Sequence, residues 1–265
     1  MPLRLPREIG ANRMSATAVQ QRPDALTDRH THYCPGCGHG ILHRLIAEVV
    51  DELGVRESTI GIAPVGCAVL AYFYMNFDVS EAAHGRAPAV ATGIKRVLPG
   101  SVVFAYQGDG DLAAIGMAET IHAANRGDSI TVVFVNNSVY GMTGGQMAPT
   151  TLKGQKTATS PLGRDQDTMG PPIRMCELLN TLDLPYHIER TALDGPSGVR
   201  KTRKALLAAF KAQVEGKGYG FVEVLAPCPT YQRLSPVEAM RFVGSEMAAT
   251  FPPGVFRKDG RRTDA

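Results

Sequence analysis

Apolar positions along the chain switch between a helical and a strand period. From Gly40 to Leu53, residues Ile41, Leu45, Val49 and Leu53 fall four apart, which predicts an amphipathic helix stopped by Gly54. Thr59 to Ala63 reads as a short strand, and Pro88 to Val97 as a helix with proline in its first turn and Gly100 beyond its end. Val102-Val103-Phe104-Ala105-Tyr106 is a buried-strand run, Gly108-Asp109-Gly110 a sharp turn, and Leu112 to Ala124 an alanine-rich helix. Ile130 to Val135 is a second β-branched strand, so the whole reads as a βαβ unit with parallel strands covered on both faces. Ile173 to Leu182 and Val199 to Val214 read as helices, and Phe221 to Leu225 as a last strand. The fold class this predicts is α/β, a doubly wound and mainly parallel sheet.

The aperiodic stretches set the expected boundaries. Residues 1–30 read as an N-terminal arm, 31–235 as the α/β domain, and 236–265, ending in Arg257, Lys258, Arg261 and Arg262, as a solvated tail. Residues 141–172, rich in Gly, Thr, Gln and Pro, form a long loop of the kind kept for function. Gly 28 and Pro 18 agree with many tight turns. A net charge of +3 is too mild to argue for nucleic acid, and the longest uncharged stretch, Ile60 to Phe77, is too short and too broken by Pro64 and Gly66 to span a membrane. The N-terminus has no secretory pattern, so a cytoplasmic, reducing location is expected. There, five cysteines point to metal or redox chemistry rather than to disulfides.

Gly108-Asp109-Gly110-Asp111-Leu112-Ala113 fits the loose pattern of a dinucleotide turn, but the second strand ends in Asn136-Asn137 rather than in an acid for a ribose. Asp109 and Asp111 also place two carboxylates where a diphosphate would sit. A divalent cation resolves that conflict, because Mg²⁺ bridges carboxylate to phosphate through oxygen ligands. Asp109 and Asn137 stand 28 positions apart, one βαβ repeat, so neighbouring strands bring them together. The helix from Leu112 would then aim free N–H groups at the diphosphate. Gly-Asp-Gly followed one repeat later by Asn-Asn resembles the motif of thiamine diphosphate enzymes. That resemblance implies Mg²⁺ held by Asp109, Asn137 and the Val139 carbonyl; the competing reading is a tight turn with solvated acids.

Cys34-Pro35-Gly36-Cys37 opens three readings: a thioredoxin-like dithiol, half a zinc site, or a pair of cluster ligands. No buried strand precedes it and no second close pair follows. Cys67 and Cys228 each come just after an expected strand, on the edge that would also carry the cofactor. Four thiolates can therefore converge beside the thiamine site as ligands of a [4Fe-4S] cluster. Cys176, inside an apolar helix, reads as a core thiol. Cys-Pro-Gly-Cys-Gly-His-Gly, Ala83-His84-Gly85-Arg86-Ala87, Gly108 to Asp111 and Asn136-Asn137-x-x-Tyr140-Gly141-Met142-Thr143-Gly144-Gly145-Gln146 together closely resemble the β subunit of 2-oxoacid:ferredoxin oxidoreductases.

The resemblance implies a thiamine diphosphate-binding fold and cluster ligation by Cys34, Cys37, Cys67 and Cys228. Around thiamine it places Val65, Gly66, Cys67, Ala68, His84, Gly110, Asp111, Gly141 and Met142, with His84 a possible catalytic group, and near the substrate Leu70 and Met142. The implied reaction is oxidative decarboxylation of a 2-oxoacid with coenzyme A to acyl-CoA, CO₂ and reduced ferredoxin or another acceptor. The expected substrate is 2-oxoglutarate, with branched-chain or aryl 2-oxoacids as the alternative. No glutamate is placed to activate thiamine, so an α subunit is expected to supply it in a heterodimer that pairs again. Two rivals stand beside this: a non-catalytic iron–sulfur or zinc module, and a non-oxidative thiamine decarboxylase. His39 and His43 read as packing or solvent residues, and Arg200, Lys201, Arg203 and Lys204 as a wet helix face rather than a ferredoxin dock.

Overall fold

A computed structural model describes residues 21–263. Its strands are β1 (Thr59–Ala63), β2 (Asp78–Glu81), β3 (Val102–Gly108), β4 (Thr131–Asn136), β5 (Val139–Tyr140), β6 (Gln146–Met147), β7 (His187–Ala192), β8 (Gly220–Leu225), β9 (Gly254–Lys258) and β10 (Arg261–Arg262). The helices are α1 (Gly38–Leu53), α2 (Ala87–Val97), α3 (Met117–Arg126), α4 (Gln166–Met169), α5 (Met175–Asn180), α6 (Pro196–Val214), α7 (Pro229–Gln232) and α8 (Pro236–Phe242).

Eight strands form one sheet in the order β10, β9, β7, β8, β4, β3, β1, β2. Pairing is parallel from β7 through to β2, while β9 and β10 run antiparallel. Side chains alternate across a strand, so each central strand serves two cores. Val102, Phe104 and Tyr106 pack with Leu45, Ile46 and Phe210 of α1 and α6. Val103 and Ala105 pack on the other face with Ala91, Ala123 and Leu179 of α2, α3 and α5. Both faces are thus covered, as the apolar strand runs require.

The expected helices and strands are present with shifted ends. α1 begins at Gly38, α6 at Pro196, and the helix expected from Ile173 shortens to Met175–Asn180. The alanine-rich helix departs more. It opens as a π-helical turn over Asp111–Ile115, breaks at Gly116, and continues as α3 from Met117. The cause is a close backbone crossing: a Cβ on Gly116 would lie 2.7 Å from the Gly85 carbonyl oxygen.

The terminal expectations need correction. The arm expectation for residues 1–20 falls outside the described residues. Beyond them, Ala25 is buried, Leu26 bridges Met75, and the Asp51 carboxylate accepts from the Asp24 and Ala25 amides. The segment after Pro236 is not a solvated arm. Val243, Met247 and Phe251, four apart, fill a core of their own, and β9 joins the main sheet beside β7. Arg257 is buried there because the Asn180, Leu182 and Asp183 carbonyls accept its guanidinium hydrogen bonds. Along α6, Arg203 pairs with Glu48 and Glu52 of α1, while Arg200, Lys201 and Lys204 stay exposed. Among the described residues no helix is long and apolar enough to cross a membrane.

Candidate functional site

Four neighbouring strands, β8, β4, β3 and β1, deliver their carboxyl ends to one edge. The loops there carry Cys228, Asn137, Asp109 and Cys67 in turn. Two adjoining cavities open on that edge. The first is bounded by the loop after β1 with Val65, Gly66, Cys67 and Ala68, by His84, by Gly108 to Asp111, and by Asn137, Val139, Gly141 and Met142. The second is lined by Cys34, Cys37, Cys67 and Cys228, together with Tyr33 and Tyr231. Cys67, His39 and Asn137 belong to both walls. Every residue expected to bind thiamine, Mg²⁺ or the cluster therefore lies on one of these cavities. Leu70, expected near substrate, does not line either of them.

Gly141 marks where the two cavities meet. A Cβ built on it would stand 3.2 Å from Cys67 Sγ, 3.6 Å from Cys228 Sγ and 3.8 Å from Asn137 Nδ2. The Cys34–Cys37 turn is fastened to the same place: the Cys37 amide donates to the Cys34 carbonyl at 3.0 Å, and the Gly38 amide to the Pro227 carbonyl at 3.1 Å. Pro236 of the C-terminal segment closes over Gly36, where a Cβ would lie 2.5 Å from the proline Cβ. Burial pushes the Cys37 thiol up to about 11 and the Cys228 thiol up to about 12, and it raises Cys67 as well. Such thiols stay protonated near neutrality unless a metal displaces the proton.

Asp109 and Asp111 do different work. Asp109 is buried; its Oδ1 accepts from the Gly110 amide at 2.9 Å and its Oδ2 from the Thr150 hydroxyl at 2.7 Å. Burial raises its carboxyl to about 7, against the pull of those hydrogen bonds. Asp111, also buried, accepts from the Gly85 amide at 2.9 Å and from Gln107 Nε2 at 2.6 Å, and His84 Nδ1 lies against its Oδ1. Its oxygens are therefore spent inside the protein, holding the His84–Gly85 loop against the π-turn. The Gly110 amide is likewise occupied by Asp109, while no side chain caps the turn that follows it. Gly110 itself cannot carry a side chain, because a Cβ would fall 2.1 Å from the Tyr140 ring.

The residues fit the groups the sequence implies. Carboxylate, amide and backbone carbonyl oxygens from Asp109, Asn137 and Val139 make a hard donor set suited to Mg²⁺. Four thiols around one cavity suit iron. Among the described residues no three His, Cys, Asp or Glu side chains converge on a single ion. A cubane takes one thiolate per iron at separate corners, and the oxygen set contains one carboxylate, so neither arrangement requires such a convergence.

Two residues lay beyond the sequence reading. Thr150 and Arg164 sit in the long loop, where no periodicity marks them. Of the two roles open to His39 and His43, packing or solvent, the structure has packing: both are buried. His39 Nδ1 and the Tyr106 hydroxyl are 2.6 Å apart, and burial lowers the two imidazoles to about 4 and about 3, so both are neutral near pH 7.

Over residues 65–224 the sequence matches the thiamine pyrophosphate enzyme, C-terminal TPP binding domain. Subunit KorB of 2-oxoglutarate synthase from Methanocaldococcus jannaschii is 37% identical over 206 residues, covering 77% of this chain and 72% of that protein. The chain belongs to the β-subunit family of the 2-oxoacid:ferredoxin oxidoreductases. Within the family it is also similar to subunit VorA of ketoisovalerate oxidoreductase from Methanothermobacter thermautotrophicus, 53% identical over 256 residues, 93% of this chain and 54% of that one. The chain thus spans about half the length of that relative. A solved 2-oxoglutarate:ferredoxin oxidoreductase from Magnetococcus marinus, with 2-oxoglutarate, coenzyme A and succinyl-CoA bound, superposes with a TM-score of 0.74 at 24% identity. The superposition covers 95% of this chain and 88% of that one, and it establishes the fold. The matched thiamine domain of this β-family chain contains Cys67, Asp109 and Asn137 but leaves out Cys34, Cys37 and Cys228. Those three cysteines lie outside the matched domain and line the second cavity beside Cys67.

Proposed function

We propose that this chain is the thiamine- and cluster-bearing subunit of a 2-oxoacid:acceptor oxidoreductase that converts a branched-chain 2-oxoacid and coenzyme A to acyl-CoA and CO₂. The observation that carries the reading is the meeting at Gly141, where two of four cavity-lining thiols and the Asn137 amide share one wall. A one-electron carrier beside a two-electron cofactor needs that juxtaposition. When bound, thiamine diphosphate would accept the electron pair left on carbon as CO₂ departs, and the cluster would pass electrons on singly.

The chain's own residues would act as follows. Asp109, Asn137 and the Val139 carbonyl hold Mg²⁺ against the diphosphate. Gly110, bare of a side chain, makes room for the Tyr140 ring, and Gly141 for the Cys67 and Cys228 thiols. Asp111 engages His84 Nδ1 and leaves Nε2 as the free ring nitrogen beside the cavity, a place from which to hold or move a proton. Cys34, Cys37, Cys67 and Cys228 bind the cluster once deprotonated.

A partner subunit is part of the proposal. The thiamine cavity measures ≈ 130 Å³, well under the roughly 300 Å³ at which complete cofactor sites begin. No glutamate is among its lining residues. Met142 at its mouth is 58% exposed, as expected of a wall that another chain covers.

The substrate preference moves from the 2-oxoglutarate expected from the sequence to a branched-chain 2-oxoacid. Val65 and Met142 line the cavity, and none of its lining residues is Lys or Arg to meet a distal carboxylate. The ketoisovalerate relative, at 53% identity, points the same way against 37% for the 2-oxoglutarate one. Steady-state rates of the complete complex on a 2-oxoacid panel test this. 2-Oxoisovalerate should give a kcat/KM at least about tenfold above 2-oxoglutarate, the worth of one unpaired buried carboxylate or more. Preference for 2-oxoglutarate would contradict the assignment of substrate.

A further inference from the structure

We propose that Thr150 is a positioning residue for the metal–diphosphate site, and that the turn around it sets the geometry in which Asp109 and the Val139 carbonyl meet a divalent cation. The inference rests on the cofactor reading above and concerns residues outside the metal-ligand set.

Two anchors come from adjacent residues of one turn. The Thr150 hydroxyl, fully buried, donates to Asp109 Oδ2 at 2.7 Å and so, with the Gly110 amide on Oδ1, fixes the carboxylate plane. The Thr151 hydroxyl accepts from the Ala148 amide at 2.8 Å and donates to the Ser138 carbonyl at 2.6 Å. Ser138 is the hinge between Asn137 and Val139, and its φ of 65° lies in the left-handed region that a side chain seldom adopts. Gln155 completes the hold, with Nε2 donating to the Ser138 hydroxyl at 2.9 Å and Oε1 accepting from the Leu152 amide at 2.9 Å. One turn therefore restrains both strands' contributions, the carboxylate after β3 and the bend after β4.

The turn is itself fixed from behind. Arg164, buried, donates to the carbonyls of Ala148, Pro149 and Thr151 on one side and of Gly170 and Pro171 on the other. Rigid support of this kind matters because Mg²⁺ tolerates little departure from octahedral geometry. Outer partners that orient metal ligands carry roughly 10–100-fold in metal affinity.

The test is Mg²⁺ titration of the complete, cofactor-stripped complex at fixed saturating thiamine diphosphate, followed by calorimetry, with the 2-oxoacid-dependent rate measured in parallel. Thr150→Val and Thr150→Ala should each raise the half-saturating Mg²⁺ concentration by about 10–100-fold, with the rate recovering at high Mg²⁺. Thr150→Ser, which keeps the hydroxyl, should stay close to wild type. A purely structural role would lower the melting temperature of the variants without moving the Mg²⁺ midpoint, and that result overturns the inference while leaving the cofactor reading intact. Failure of the wild-type complex to bind thiamine diphosphate in a Mg²⁺-dependent way would instead remove the reading beneath it.

Discussion

Asp109→Ala is expected to leave the complex folded but without bound thiamine diphosphate, and to lower 2-oxoacid oxidation by more than about 100-fold, beyond what loss of an outer partner of a metal ligand costs. Charge is the cause. Asp109 is the buried carboxylate that lines the cavity beside Asn137 and Val139, whereas Asp111 is engaged by Gly85, Gln107 and His84. Removing it takes away the negative ligand and leaves neutral oxygens from Asn137 and Val139. The fold should tolerate the change, because burial already disfavours the ionised carboxyl and raises it to about 7. Thiamine content by fluorescence after oxidation, set beside circular dichroism, checks both halves. A variant that retains thiamine and turns over normally would show that Asp109 holds no metal.

Cys228→Ser carries the second large effect. The thiol sits at the end of β8 with 8% exposure, facing the cavity that Cys34, Cys37 and Cys67 also line. A serine hydroxyl is a far poorer iron ligand than a thiolate. Iron content and reduction of a viologen acceptor should therefore fall by at least about an order of magnitude, while bound thiamine stays near the wild-type level. Cys176→Ala is the matched control: that thiol is buried against Glu223 and Arg190, away from the cavity, and its loss should leave the iron untouched. Equal loss of iron in both variants would mean that thiol number, not this cavity, holds the metal.

The elements that position the site were legible wherever the hydrophobic pattern was undiluted. β3 as far as Gln107 and all of β4 are buried, apolar-rich runs, and Gly-Asp-Gly and Asn-Asn stand at their ends, so the metal-ligand pair could be located by counting one repeat. β7 was missed because Glu189 and Arg190 disguise it; Arg190 is buried only because Glu177 and Glu223 pair with it. The C-terminal segment was misread for a similar reason. Its arginines suggested solvent, yet carbonyl groups from the 180–185 turn absorb Arg257. The four-residue spacing of Val243, Met247 and Phe251 was the available signal. Thr150 and Arg164 left no such trace, since an aperiodic loop held by side-chain-to-backbone hydrogen bonds has no pattern to read. The π-turn at Asp111 follows from contact between Gly85 and Gly116, residues 31 apart, which local propensity does not encode.

Joint cofactor analysis of the complete complex, purified without air, tests the central claim most directly. The account predicts about four iron atoms and one thiamine diphosphate for each copy of this chain, with thiamine lost on chelation of Mg²⁺. Thiamine without iron, or zinc in place of iron, would contradict it, since the cysteine cavity and the thiamine cavity would then not form one electron-transfer site.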